Sequence, residues 1–446
     1  MLNRLLLALS ILVLSLFLVA CGDGGSTDSS GDSTDSSGGY KIGGSISGLT
    51  SGTSVTLKDN QNDEVTFYQN GSFSFATNLF GGDGYMVTVT KQPDGLYCSV
   101  ANSYGTVSGV NVTNVAVTCH VQYVYATNAY SNSAAMFALG ANGILSPLST
   151  PSVSTGAAPR GIAVNPAATY AYIANYFDNS VSMYAIGSNG VLAPLSTPTI
   201  PAGTGPFGVT INPSGTYAYV TAGTTISMFA IGSNGILTPL STPTVSGAVG
   251  YIAINPASTF AYGTNPVDNT VLMYSIGSNG VLTPLSTPAV ASGTYPLTIA
   301  INPAGTYAYV VNQNSNNISM YAIGSNGMLT PLSVSLVATG SGPRGIAINP
   351  AGTFAYVTNW NDHTVSMYSI ASNGILTPLS TPTVTTGYDP YGIAINQTGT
   401  YAYVANTATG TLSMFAIGSN GILSPLSPST VSAGNPAAPF NLAISH

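Results

Sequence analysis

Between Tyr40 and Cys119 apolar and polar side chains alternate with period two. The clearest runs are Ser54-Val55-Thr56-Leu57, Val65-Thr66-Phe67-Tyr68, Ser72-Phe73-Ser74-Phe75, Tyr85 to Thr90 and Val115 to Thr118. Such alternation predicts half-buried antiparallel strands, here about seven of them forming a small sandwich. Asn70-Gly71, between two of these runs, supplies the positive φ of a tight hairpin. From Val121 onward a different order takes over, because one unit recurs. A Tyr-Ala-Tyr signature starts at Tyr123 (as Tyr-Val-Tyr), Tyr170, Tyr217, Phe260, Tyr307, Phe354 and Tyr401, with spacings of 47, 47, 43, 47, 47 and 47 residues. An Asn-Gly turn follows in each copy, at Asn142, Asn189, Asn234, Asn279, Asn326, Asn373 and Asn420.

Each copy reads as four short strands: Gly-Ile-Ala-Ile-Asn, Tyr-Ala-Tyr-Val-x-Asn, Val-Ser-Met-Tyr-Ala-Ile and Gly-Ile-Leu-Thr-Pro-Leu-Ser. Four strands in about 45 residues is the blade of a β-propeller, and seven copies predict seven blades. Asn-Pro-Ala-Gly-Thr, as at 302–306, favours a type I turn between the first two strands, and Ser-Asn-Gly marks the hairpin between the last two. Small residues in the first strand, as in Gly161-Ile162-Ala163-Val164, suit a crowded axis. The first copy lacks that strand, and its counterpart, Leu442-Ala443-Ile444-Ser445, stands at the far end of the chain. The C-terminal segment is therefore expected to complete the first blade and leave no open edge. The fold class is all-β, with residues 40–120 a sandwich and 121–446 a propeller.

Composition narrows the partners. Only 4% of residues are charged and the net charge is −7, so no cationic surface exists to neutralise a phosphate backbone, and nucleic acid is excluded as the main partner. Arg4 followed by the apolar run Leu5 to Ala20 reads as an export signal over residues 1–20, too short to span a bilayer. Residues 21–39, almost all Gly, Ser, Thr and Asp, have nothing to bury and read as a disordered linker about 25 Å in mean extent. Leu18-Val19-Ala20-Cys21-Gly22 resembles the lipobox of bacterial lipoproteins. That resemblance implies lipidation of Cys21, attachment to a membrane through the lipid, and a place in the cell envelope, at the outer membrane, periplasm or surface. With Cys21 so used, Cys98 and Cys119 are left to pair in an oxidising compartment.

Tyr-Val-Thr-Asn at 356–359, Thr364-Val365-Ser366-Met367-Tyr368, Asn373 to Leu379 and Gly342 to Ala347 together resemble the seven-bladed lactonase-type propellers related to 6-phosphogluconolactonase, and the YVTN-repeat surface proteins. The sandwich resembles the immunoglobulin-like or prealbumin-like spacers of bacterial lipoproteins. The propeller resemblance implies a lactone hydrolase with His, Arg and Glu at the channel mouth. This propeller carries no Glu or Lys, four Asp, two Arg and one internal His.

Candidate chemistry concentrates in two places. The column just before the first strand reads Arg160, Phe207, Gly250, Leu297, Arg344, Tyr391 and Phe440, and varies more than any other in the repeat. The second place is Trp360-Asn361-Asp362-His363 with Asp389 in the adjacent inter-blade loop. Arg344, His363 and Asp389 are the candidates for catalysis, and Arg160, Phe207, Arg344, Trp360, Asp362, His363, Asp389 and Tyr391 for ligand contact. Asp178, Asp268 and Asp362 also suit turn capping. One carboxylate per blade makes no calcium site, and seven Met in one column (Met136, Met183, Met228, Met273, Met320, Met367, Met414) cannot converge on one ion, so neither a metal nor a cofactor is expected. Two functional readings stand: a recognition or scaffold module for a glycan, envelope component or protein, and a lactone hydrolase using His363 or Asp389 as base with Arg344 as oxyanion donor.

Overall fold

The structure, a computed structural model, describes residues 39–61, 63–93, 95–247, 250–434 and 438–445. The export signal, Cys21 and all of the linker but its last residue lie outside these. Every regular element among the described residues is a strand, and the strands form nine four-stranded sheets.

Two sheets make the N-terminal sandwich. One sheet runs Gly71–Leu79, Tyr40–Ser47, Val112–Val121, Leu96–Ala101; the other runs Glu64–Phe67, Val55–Asp59, Gly84–Lys91, Tyr104–Thr106. Ile42, Phe75, Val115, Val55, Leu57 and Val87 are buried in its core. Eight strands are present, against an expected seven or so, and Tyr40–Ser47 lies parallel to Val112–Val121, so the sandwich is not wholly antiparallel. That strand escapes an alternation search because Gly43 and Gly44 interrupt its pattern. A Cβ at either would collide with the backbone of the flanking strands, at Phe73 and Val115. The Asn70-Gly71 expectation also fails as a hairpin. The strands it joins belong to opposite sheets, and Asn70 instead brackets Leu49: its Oδ1 accepts the Leu49 N–H (2.8 Å) and its Nδ2 donates to the Leu49 carbonyl (2.9 Å). Cys98 and Cys119 sit opposite one another on neighbouring strands and are disulfide-bonded.

The other seven sheets are the blades. Six are built from consecutive strands, and the remaining one runs Leu145–Ser154, Ser133–Leu139, Tyr123–Asn128, Pro439–Ile444. Leu442 faces Ala126 and Ile444 faces Val124 across this last pairing, so the C-terminal strand does complete the first blade. The Asn-Pro turn is held as its sequence requires: Asn302 Oδ1 accepts the N–H groups of Thr306 and Tyr307, both at 2.8 Å, while the Gly305 N–H returns to the Asn302 carbonyl. At the axis, a Cβ on Gly161 would lie 2.7 Å from the Phe207 carbonyl oxygen of the next blade, so close approach of inner strands depends on its absence.

The repeat signature builds the seams between blades. The second Tyr of each Tyr-x-Tyr donates its hydroxyl to the carbonyl of the turn glycine in the following blade, at 2.7–2.9 Å, in all seven seams from Tyr125–Gly190 to Tyr403–Gly143. Each Met of the buried column accepts, through Sδ, the N–H of the next blade's Leu, from Leu192 on Met136 to Leu145 on Met414, at 3.2–3.3 Å. The methionines thus fill space and also satisfy a buried donor that the outer hairpin leaves unpaired.

Buried tyrosines of the second and third strands carry a consequence for alkaline stability. Burial pushes Tyr274 and Tyr368 from 10.0 up to about 12, and raises Tyr125, Tyr172, Tyr219, Tyr262, Tyr309, Tyr356 and Tyr403 further. The fold favours the neutral phenol, so this contribution is intact below pH 10 and is lost as pH rises toward and beyond 12. Denaturation midpoints of the propeller are expected to hold level from pH 7 to 9 and fall steeply above 10. A level midpoint through pH 11.5 would contradict the buried-tyrosine seams.

Candidate functional site

Antiparallel order puts the loops after the second and fourth strands of every blade on one face, around one end of the central channel. Six of the seven inner strands begin with proline, at Pro159, Pro206, Pro296, Pro343, Pro390 and Pro439, and in each the pairing with the second strand slips just after it. Proline has no N–H to give the ladder, and the irregularity that follows re-aims the next side chain. That next side chain is the variable column, and the slip brings its members together over the channel.

The assembly is an aromatic plug with two cations in it. Tyr391 and Phe440 stack with centroids 3.9 Å apart, and Leu297 packs against both. Phe207 meets Phe440 edge-on at 5.7 Å and Tyr251 at 5.3 Å; Trp360 meets Tyr391 edge-on at 5.9 Å. The Arg160 guanidinium lies 4.0 Å from the Phe440 centroid, with Tyr176 and Phe207 at 5.4 and 5.9 Å, and Arg344 lies over Trp360 at 4.8 Å and Tyr391 at 5.3 Å. Ring faces hold a cation by their quadrupole at about 1 kcal/mol each. Neither arginine has a carboxylate within 4 Å among the described residues, and both Nε atoms are buried without a hydrogen-bond partner. Burial pushes the Tyr391 phenol up to about 12, with Arg344 and then Arg160 pulling it back, and the same cause raises Tyr251. Below the plug is a cavity of about 140 Å³, room for several waters, with Tyr251, Thr298 and Asn441 among its walls. Phe177, Tyr295 and Tyr388 stand exposed on loops of this same face.

The second cluster is arranged differently. His363 and Asp389 are neighbours, Nδ1 to Oδ1 3.7 Å, and the Tyr388 ring meets the imidazole edge-on at 4.8 Å. The His363 Nδ1 accepts the backbone N–H of Asp389 at 3.1 Å, which in the neutral ring places the proton on Nε2. Nδ1 is engaged and Nε2 already carries its hydrogen, so the ring can take a proton from water only by giving up its bond to the Asp389 N–H. Asp362 Oδ2 accepts the Ser341 N–H at 2.7 Å, and Asp178 does the same for Ala157; each caps the inter-blade loop beside it. Asp268 accepts from the Asn265 side-chain amide of its own turn. No group of three or more His, Cys, Asp or Glu able to hold a metal occurs among the described residues.

The structure therefore gathers Arg160, Phe207, Arg344, Trp360 and Tyr391 into one site, with Phe440 and Leu297, and sets Asp362, His363 and Asp389 in the flanking loops. Tyr176, Tyr251 and Asn441 were not anticipated. The signal for two of them was present: the position after the variable column is Gly in blades two, three, six and seven but Tyr251 in the fourth and Asn441 in the first. Asn441 Nδ2 donates to the Tyr251 hydroxyl at 3.4 Å, closing the floor of the plug.

The profile described as Lactonase, 7-bladed beta-propeller matches residues 98–200, 188–338 and 320–438. No curated protein matches the chain. Solved structures of similar fold include a 6-phosphogluconolactonase candidate from Bacteroides fragilis, with TM-score 0.65 and 21% identity over 73% of this chain and 98% of that one. Others are the periplasmic gluconolactonase PpgL of Pseudomonas aeruginosa, with TM-score 0.62 and 17% identity over 73% and 99%, and a Lactobacillus plantarum protein, with TM-score 0.63 and 19% identity over 73% and 99%. At such identities the likeness is one of fold, whereas the profile covers nearly the whole repeat region. On that match, the chain belongs to the seven-bladed β-propeller lactonase family.

Proposed function

We propose that this chain is an envelope-anchored recognition protein whose lactonase-type propeller binds a carboxylated saccharide at the channel mouth. The observation that carries the reading is the pair of arginines, held against aromatic rings and opposed by no carboxylate among the described residues. A half-buried cation without a counter-ion is an unfavourable arrangement that an anionic ligand relieves. Phe207 and Trp360 beside the arginines, and the exposed rings of Phe177 and Tyr388 at the rim, offer the flat apolar faces on which sugar rings stack. The lipobox-like Cys21 and the disulfide both suit an exported chain.

Resemblance to gluconolactonases favours a second reading, lactone hydrolysis. Hydrolysis needs a base to activate water. The propeller has no Glu, and His363 spends Nδ1 on a backbone N–H. A panel of acidic and neutral oligosaccharides together with a panel of sugar lactones separates the two readings. Arg160→Ala and Arg344→Ala are each expected to weaken an oligouronate by roughly 10- to 100-fold, the worth of a charge-assisted hydrogen bond, and to leave neutral sugars unaffected. Turnover of a lactone that is lost in His363→Ala or Asp389→Ala would instead establish the hydrolase.

A further inference from the structure

We infer that His363 is a proton-operated latch on the loop that carries Tyr388, Asp389 and Tyr391 into the channel mouth. Its regulatory role at the mouth rests on the recognition reading; the latch itself does not.

Four other seams show what the position normally does. An asparagine at positive φ, just before or at the start of the third strand, accepts through Oδ1 the backbone N–H of the residue preceding the next inner strand. The pairs are Asn132 with Ala158 (2.9 Å), Asn179 with Gly205, Asn269 with Tyr295 and Asn316 with Gly342 (2.8 Å each). In the sixth blade His363, at φ 55°, replaces the asparagine and Nδ1 replaces the amide oxygen, accepting from Asp389. An amide oxygen stays an acceptor at any ordinary pH. An imidazole does not, because this type of side chain ordinarily ionises between about pH 5 and 8.

Protonation at Nδ1 turns the acceptor into a donor that faces the Asp389 N–H, and the bond is lost. The new imidazolium is drawn to the Asp389 carboxylate, 3.7 Å away. The other ionisable groups facing it are few. The Tyr388 ring lies edge-on, and the neighbouring Asp362 is committed to the Ser341 N–H. Asp389 is held at φ 56°, a conformation unfavourable for a side chain with a Cβ, and loss of the N–H bond removes one of its restraints. Backbone bonds from Thr386 to the His363 carbonyl and from Thr407 to the Asp389 carbonyl remain, so the loop loosens without detaching. Tyr391, two residues on, shifts against Trp360 and Arg344.

Trp360 is the only Trp in the chain and touches Tyr391, so it reports the latch in the ligand-free protein. The experiment is Trp emission of the full chain from pH 8 to 5. Wild type is expected to show a one-proton transition. His363→Asn, which restores the acceptor of the other seams, is expected to stay flat at the pH 8 signal, and His363→Ala, which has no acceptor, to stay flat near the acid signal. A transition that persists in His363→Asn overturns the latch. With an oligouronate as probe, wild-type affinity is expected to fall roughly three- to tenfold from pH 7.5 to 5.5, the worth of one such bond, and that of His363→Asn to hold steady. Equal wild-type affinity at both pH values overturns the coupling. A fluorescence transition confined to His363 with no saccharide bound at either pH upholds the latch and removes the recognition reading.

Discussion

Deletion of residues 439–446 is expected to unfold the propeller cooperatively instead of trimming it. The segment supplies the inner strand of the first blade, and its Phe440, Leu442 and Ile444 are buried. Burial of an apolar side chain is worth roughly 2 kcal/mol, so three of them approach the whole stability of a typical domain, about 5–15 kcal/mol. The Tyr123 N–H loses the Ser445 hydroxyl that it donates to, at 2.8 Å, and Tyr123–Asn128 becomes an open edge on a ring that otherwise has none at its axis. Circular dichroism melts and size-exclusion profiles check this. A truncated chain that stays monomeric with an unchanged melting midpoint would mean that the ring closes without its last strand.

The second large effect is expected at the seam between the last blade and the first. Gly143 has φ 79°, its carbonyl accepts the Tyr403 hydroxyl at 2.8 Å, and a Cβ there would press into the Tyr401 ring. Gly143→Ala combines a left-handed backbone penalty with overpacking and is expected to cost about 3 kcal/mol. Tyr403→Phe removes only the hydrogen bond and is expected to cost about 1–2 kcal/mol through the carbonyl left unpaired. Urea unfolding of both variants against wild type gives the comparison. A Gly143→Ala variant no less stable than Tyr403→Phe would show that the turn and the ring do not interlock as described.

The propeller was readable because its physics repeats. The same Tyr, Met and Asn-Gly recur every 43–47 residues, and a missing inner strand at one end matches a spare one at the other. The sandwich was less so: Tyr40–Ser47 is glycine-broken where neighbouring strands crowd it, and Asn70 acts through its side chain on Leu49, a contact that no local pattern reveals. At the mouth, variability around the repeat identified Arg160, Phe207, Arg344 and Tyr391. The next column, where Tyr251 and Asn441 replace the glycine of four other blades, was hidden because strand alternation sends neighbouring side chains to opposite faces, and the irregular pairing after Pro439 that precedes Asn441 leaves no mark in the sequence. The role of His363 was hidden too. That it stands where other blades have Asn132, Asn179, Asn269 and Asn316 can be read from the repeat, but what that column does becomes evident only when the N–H groups accepted in the other seams are set beside it.

A structure of the full chain soaked with an oligouronate bears most closely on the account of the mouth. The expected result is a carboxylate paired with Arg160 or Arg344 and a sugar ring laid on Phe207 or Trp360, with the saccharide chemically intact. A ligand bound away from both arginines, or a lactone opened by the same protein, would contradict it.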